Sequence, residues 1–139
     1  MRTRKHKKEY DRYQETIDDS CVFCELRSGQ KRVLSETKSH WVTKNLFGYD
    51  TWDGHAVIEH LMLVPKRHVT SLADLKQAEL TEFAMEIARL ESSGYSVYSR
   101  APNNGSRSIA HVHTHLIKLG GKPKKFMFFT RKPYIMISR

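Results

Sequence analysis

Three histidines alternate in His111-Val112-His113-Thr114-His115, out of eight in the chain. In an extended segment alternate side chains face one side. The spacing therefore predicts three imidazoles on one face, with Val112, Thr114 and Leu116 on the other. Imidazoles gathered away from water are costly without partners, so the cluster calls for a metal, an anion or a reaction. Just ahead of it lies Asn103-Asn104-Gly105-Ser106-Arg107-Ser108. Small residues let backbone N–H groups approach an anion. Asn and Ser side chains add donors, and Arg107 adds charge. Asn-Asn-Gly is also an ordinary turn sequence; its position three residues before His111 is what makes it notable.

A second group of reactive side chains is Cys21-Val22-Phe23-Cys24. Two thiolates at this spacing can chelate one zinc ion, which needs two further ligands. His68, His111 and His60 are the candidates for those. A redox pair is the rival reading, although such pairs usually open a helix after a strand in a βαβ unit. Two unligated core cysteines are the third.

The elements that must position these residues follow from the hydrophobic pattern. Residues 32–43 predict two short strands turning at Lys38-Ser39, and residues 46–54, rich in Gly, Asp and aromatics, read as a loop. His60–Pro65 is a short apolar run stopped by proline, hence a buried strand. Asp74–Ser92 is the clearest helix: Leu75, Ala78, Phe83, Ala84, Ile87, Ala88 and Leu90 share one side, and Ser92-Ser93-Gly94 ends it. Residues 95–100 and 111–119 alternate as strands around the 101–108 loop. Lys125–Ser138 reads as a terminal hairpin split at Thr130–Pro133. One long helix against hairpin-linked strands gives an α+β fold with an antiparallel sheet.

At 139 residues and 39% hydrophobic, the chain fits one domain with a real core. Residues 20–139 are assigned to it, and residues 1–19 to a basic amino-terminal extension, helical or mobile. No apolar run approaches the ~20 residues of a membrane span. The basic opening Met1–Lys8 does not resemble a secretory signal, so a cytoplasmic location is expected. The net charge of +9 is uneven: residues 1–12 hold six cations against two acids, and residues 118–139 hold seven and no acid. Basic ends attract phosphate, whether on nucleotides or on nucleic acid; solubility and a frayed tail are the plainer explanation.

His111-Val-His113-Thr-His115-Leu-Ile resembles the motif of the histidine triad (HIT) superfamily. Upstream, His60-Leu-Met-Leu-Val-Pro-Lys-Arg-His68 is similar to the superfamily's Gly-His-x-Leu-Val-x-Pro-Lys-x-His segment. Trp41-Val-Thr-Lys-Asn45 is similar to its strand ending in a ribose-binding Asn or Asp. Cys21-Val-Phe-Cys24 resembles the Cys-x-Phe-Cys of zinc-containing members. The four motifs stand in the family's order. The resemblance implies a HIT-like antiparallel sheet with one long helix and a short amino-terminal helical segment.

It also implies a nucleotide hydrolase or nucleotidyl transferase acting on phosphoanhydride or phosphoramidate bonds. His113 would attack the α-phosphorus, forming a nucleotidyl-histidine, with its tautomer held by the backbone carbonyl of His111. His115 and the backbone of Gly105, Ser106, Arg107 and Ser108 would stabilise phosphoryl charge. Ser108 matches the serine that contacts phosphate or leaving group, and Asn103 or Asn104 the phosphate-loop asparagine. Asn45 would hold the ribose, and His60 would stand near the nucleophile. Structural zinc would sit on Cys21, Cys24, His68 and His111. A nucleotide substrate and a homodimer are the implied partners.

Three departures bear on substrate. Arg107-Ser108 stands where common members have Gly-Gln-Ser, in a shorter loop. That resembles aprataxin-like members, which remove adenylate from nucleic-acid ends, and this is the alternative activity. A non-catalytic nucleotide or nucleic-acid binding module on the same fold is the alternative from another class. Glu59 replaces the Gly before His60. Fourteen residues separate Asn45 from His60, an aromatic insertion in which Tyr49 and Trp52 could stack on a base or pack on the protein.

Overall fold

The computed structural model describes residues 2–16, 20–123, 125–128 and 135–138. Six strands make one antiparallel sheet: β1 Val33–Glu36, β2 His40–Lys44, β3 Thr51–Trp52, β4 His55–Pro65, β5 Ser96–Ser99 and β6 Thr114–Pro123. The order is β1-β2-β4-β6-β5, with β3 paired to the start of β4. Two helices, α1 Arg4–Thr16 and α2 Gln77–Ser92, complete the α+β architecture. Strands β7 Lys125–Phe128 and β8 Ile135–Ser138 pair with each other in a separate ribbon. The expected terminal hairpin has its two strands there, and its connection, 129–134, lies outside the described residues.

The apolar run His60–Pro65 is central because both of its faces are covered. Leu61 and Leu63 pack with Val42, Leu116 and α2's Leu90, flanked by Phe83 and Ile87. On the alternate positions, Met62 and Val64 pack with Trp41, Phe23 and Leu26. The segment carrying the cysteines therefore covers the face opposite α2. Val112 joins a third cluster with Val69 and Leu75.

Several boundaries differ from the sequence reading. β4 begins at His55, five residues before the apolar run, because Asp53 and Gly54 both take positive φ (46° and 76°) and turn β3 back onto it. Asp-Gly at the two central positions is the turn chemistry of a tight hairpin. α2 starts at Gln77, not Asp74. Ser71 caps a separate 3-10 turn, Leu72–Asp74, and Leu75 and Lys76 are extended. The Glu79 carboxylate accepts the Lys76 N–H at 2.7 Å and opens the helix proper. Its end lies where expected, with Gly94 at φ +91° and its N–H bonded to the Glu91 carbonyl. The ladder of β6 starts at Thr114, so His115 lies within the strand while His111 and His113 lie on the approach to it.

Candidate active site

Register sets the histidines side by side. β4 and β6 pair Met62 with His115 and His60 with Ile117, which makes His60 and His115 diagonal neighbours on one face. The His60 and His115 rings lie 5.1 Å apart, and those of His113 and His115 lie 5.0 Å apart at 81°. All three are buried.

The hydrogen bonds determine where each proton sits. His113 Nδ1 is 2.9 Å from the His111 carbonyl oxygen, so Nδ1–H donates and Nε2 keeps its lone pair. The Tyr49 N–H donates to His60 Nδ1 at 3.0 Å, which leaves the His60 proton on Nε2. That nitrogen is 3.0 Å from His115 Nδ1 and donates to it. His115 must then carry its own proton on Nε2, a donor left over on a residue that lines the cavity. Burial keeps all of these rings neutral. It pushes His60 down to about 3 and, with His113 and His60 nearby, His115 to about 2. The His113 pKa is lowered as well, chiefly by burial, against the opposing hydrogen bond to His111.

The cavity beside His113 and His115 holds about 580 Å³, within the usual range for a small-ligand site. Asn45 lines it; its Oδ1 accepts the Phe47 N–H at 3.0 Å and its Nδ2 stands 3.2 Å from His60 Nε2. Gly105, Ser106, Arg107 and Ser108 line it too. Asn103 and Asn104 do not reach the lining. Asn104 instead shapes the loop, its Oδ1 accepting the Ser106 N–H at 2.9 Å. Arg107 is tethered: its guanidinium donates to the carbonyls of Thr70 (2.7 Å), Ile109 (3.2 Å) and Ala110. In the 46–59 insertion, Tyr49 lines the cavity and also stacks on Trp52 at 5.3 Å and 14°. Trp52 packs against Tyr98 and does not line the cavity.

Cys21, Cys24, His68 and His111 converge, with their four ligand atoms all within 4.8 Å of one another. Cys21 Sγ lies 3.4 Å and Cys24 Sγ 3.6 Å from His111 Nδ1, and Cys24 Sγ lies 3.2 Å from His68 Nδ1. A tetrahedral zinc with bonds of ~2.3 Å to sulfur and ~2.0 Å to nitrogen would space S and N about 3.5 Å apart. His111 Nε2 donates to the Pro65 carbonyl at 3.0 Å, which frees Nδ1 to ligate and orients the ring. The donor set and its geometry could hold a metal ion. His60, also weighed as a ligand, stands with His115 instead.

The sequence anticipated a helical segment at the amino terminus but not its place on the cavity, which α1 supplies. Arg2, Tyr10, Tyr13 and Gln14 line the cavity alongside Phe47 and Arg100. Arg2 donates to the Phe47 carbonyl at 2.8 Å, and the Thr3 N–H and His6 both reach the Asp50 carboxylate. Tyr10 and Tyr13 pack on Phe47 at 5.5 and 4.8 Å. The Tyr10 hydroxyl is 2.5 Å from Ser108 Oγ. The signal available in the sequence was the aromatic pair Tyr10 and Tyr13 at helical spacing, opposite the basic side chains.

Against known proteins, the HIT domain family model matches residues 56–121. The chain is 31% identical over 108 residues to adenosine 5'-monophosphoramidase HNT1 of Saccharomyces cerevisiae, across 73% of this chain and 64% of that one. It therefore spans just under two thirds of that relative's length. The fold is similar to a HIT family hydrolase from Legionella pneumophila Philadelphia 1, with TM-score 0.53 and 22% identity, covering 76% of this chain and 96% of that one. It is also similar to Plasmodium falciparum diadenosine triphosphate hydrolase, with TM-score 0.54 and 13% identity, covering 86% and 82%.

Proposed function

From the premise that this chain belongs to the histidine triad superfamily, we propose that it is a nucleotide hydrolase working through a nucleotidyl-histidine at His113. The observation that carries this is the tautomer. Nδ1–H is committed to the His111 carbonyl, so a neutral ring presents its Nε2 lone pair, and a neutral imidazole is an effective nucleophile at neutral pH.

In the first step Nε2 attacks the α-phosphorus. The N–P bond forms, the bond to the leaving group breaks, and its electron pair departs with that group. The His115 Nε2–H and the backbone N–H groups of Gly105 and Ser108 stabilise charge on the phosphoryl oxygens, those of Ser106 and Arg107 being bonded to Asn104. Ser108 donates to the departing atom, and Asn45 holds the ribose. In the second step water attacks phosphorus, the P–N bond breaks, and a nucleoside monophosphate leaves. Another acceptor in place of water would make the reaction a transfer.

The substrate proposed is a nucleoside 5'-phosphoramidate or phosphoanhydride. The activity named for the yeast relative makes adenosine phosphoramidate the first to try. Zinc is proposed for Cys21, Cys24, His68 and His111; when bound it supplies structural cross-linking, not chemistry on the substrate. His111 gives its ring to that site and its carbonyl to His113.

The test is intact mass spectrometry during turnover, with His113→Ala as the control. The expected result is a nucleoside monophosphate adduct on the native chain and none on the variant, with turnover abolished. Undiminished turnover by His113→Ala overturns the reading.

A further inference from the structure

Departure of an amine requires a proton, and neither His113 nor His115 supplies one. The His113 Nδ1 proton is committed to a carbonyl and the His115 ring is held neutral. The contacts of α1 suggest another source. Gln14 Nε2 donates to Tyr10 Oη at 2.9 Å, and Tyr10 Oη is 2.5 Å from Ser108 Oγ. With one side of the phenolic oxygen accepting from Gln14, its own proton is directed at Ser108. A phenol is also a better donor than an alcohol, which favours the same direction. The Ser108 hydroxyl proton is then free for a third partner in the cavity it lines. The Arg2 guanidinium lies 4.1 Å from the centre of the Tyr10 ring, a cation–π contact that holds the ring in place.

We propose that Tyr10 supplies the leaving group's proton through Ser108, so that α1 completes the catalytic site. This rests on the proposed nucleotidyl-histidine mechanism and extends it. As the bond from phosphorus to the leaving nitrogen breaks, the electron pair on nitrogen takes the Ser108 proton. Ser108 takes the Tyr10 proton, and the phenolate oxygen accepts from Gln14. When water attacks the nucleotidyl-histidine it loses a proton, which returns through Ser108 to Tyr10 and restores the starting state. Tyr10 acts through Ser108 and does not touch substrate, so it is a positioning residue.

The test is Tyr10→Phe in the full chain, which keeps the ring against Phe47. Single-turnover release is measured from two nucleoside 5'-phosphate derivatives. One carries an alkylamine, which must be protonated to leave; the other carries p-nitrophenol, which leaves as an anion. Tyr10→Phe is expected to slow amine release about tenfold, equivalent to one hydrogen bond in the transition state. KM and p-nitrophenolate release stay within about twofold. With the amine substrate, Tyr10→Phe is also expected to add less than about twofold in a Ser108→Ala background, because the two act as one unit. Equal slowing with both leaving groups, or a rise in KM alone, overturns the proposal. The histidine adduct is scored in the same samples: its absence from the native chain defeats the underlying mechanism, whereas its presence with an indifferent Tyr10→Phe defeats the relay alone.

Discussion

His60 and His115 are linked at 3.0 Å, and the link works only while both rings are neutral and each offers the other the right nitrogen. Unfolded, each would titrate near the ordinary histidine value of about 6.5. Folded, burial holds them at about 3 and about 2. The unfolded chain therefore binds more protons throughout the interval between. Stability is fully present above pH ~6.5 and is lost as pH falls toward the folded values, by up to about 1.4 kcal/mol per pH unit for each histidine. Urea unfolding of the native chain and His115→Asn at pH 7 and pH 5, at equal metal content, checks this. The variant is expected to lose less stability on acidification, by up to one histidine's slope. Identical slopes would mean that His115 is free to protonate in the folded protein. The roles of these rings were only partly legible from spacing. Alternation brought the triad to notice, but the proton positions depend on Tyr49 and Pro65, whose backbone groups no spacing rule connects to them.

At the scale of elements, α2 is where the pattern was clearest, because an amphipathic helix on a sheet writes its buried side into the sequence every three or four residues. Leu90 is the most deeply buried residue of that face and meets Val42, Leu61, Leu63 and Leu116. Leu90→Ala is expected to cost about 2–5 kcal/mol of unfolding free energy. It should leave kcat nearly unchanged, since the cluster lies on the sheet face away from His113; a large loss of kcat with intact stability would contradict that separation. The boundaries were less legible. Leu75 fits the helical stripe, yet it packs with Val69 and Val112 from an extended conformation. The tight turn at Asp53-Gly54 lay inside a stretch whose glycines and aromatics suggested only a loop. There, the pairing of β3 with β4 outweighs local composition.

Across the whole molecule, segments distant in sequence close on the site, and sequence alone says least about such closures. α1 is polar and basic, buries no residue completely, and stands on the 45–50 and 105–108 loops through side chains separated from it by roughly 40 to 100 positions. Its composition could not distinguish a cover from a tail. The cysteine pair was more legible, because metal chemistry restricts which residues can serve and the motif order supplied the partners. Cys21 and Cys24 open the segment whose Phe23 and Leu26 cover one sheet face, His68 follows β4, and His111 leads into β6. Zinc held by all four would bind three stretches of chain together next to His113, the proposed nucleophile. Stripping the metal should therefore lower the melting temperature and activity together. Amide exchange should quicken at residues 21–26 and 111–113, while the β4–β6 ladder, buried on both faces, stays protected. Cys24→Ser should reproduce the effect, and added zinc should restore the native chain but not the variant. If the stripped protein retains full activity and the slow exchange of residues 111–113, the His111 carbonyl orients His113 without help from the metal, and zinc has no part in holding the His113 tautomer.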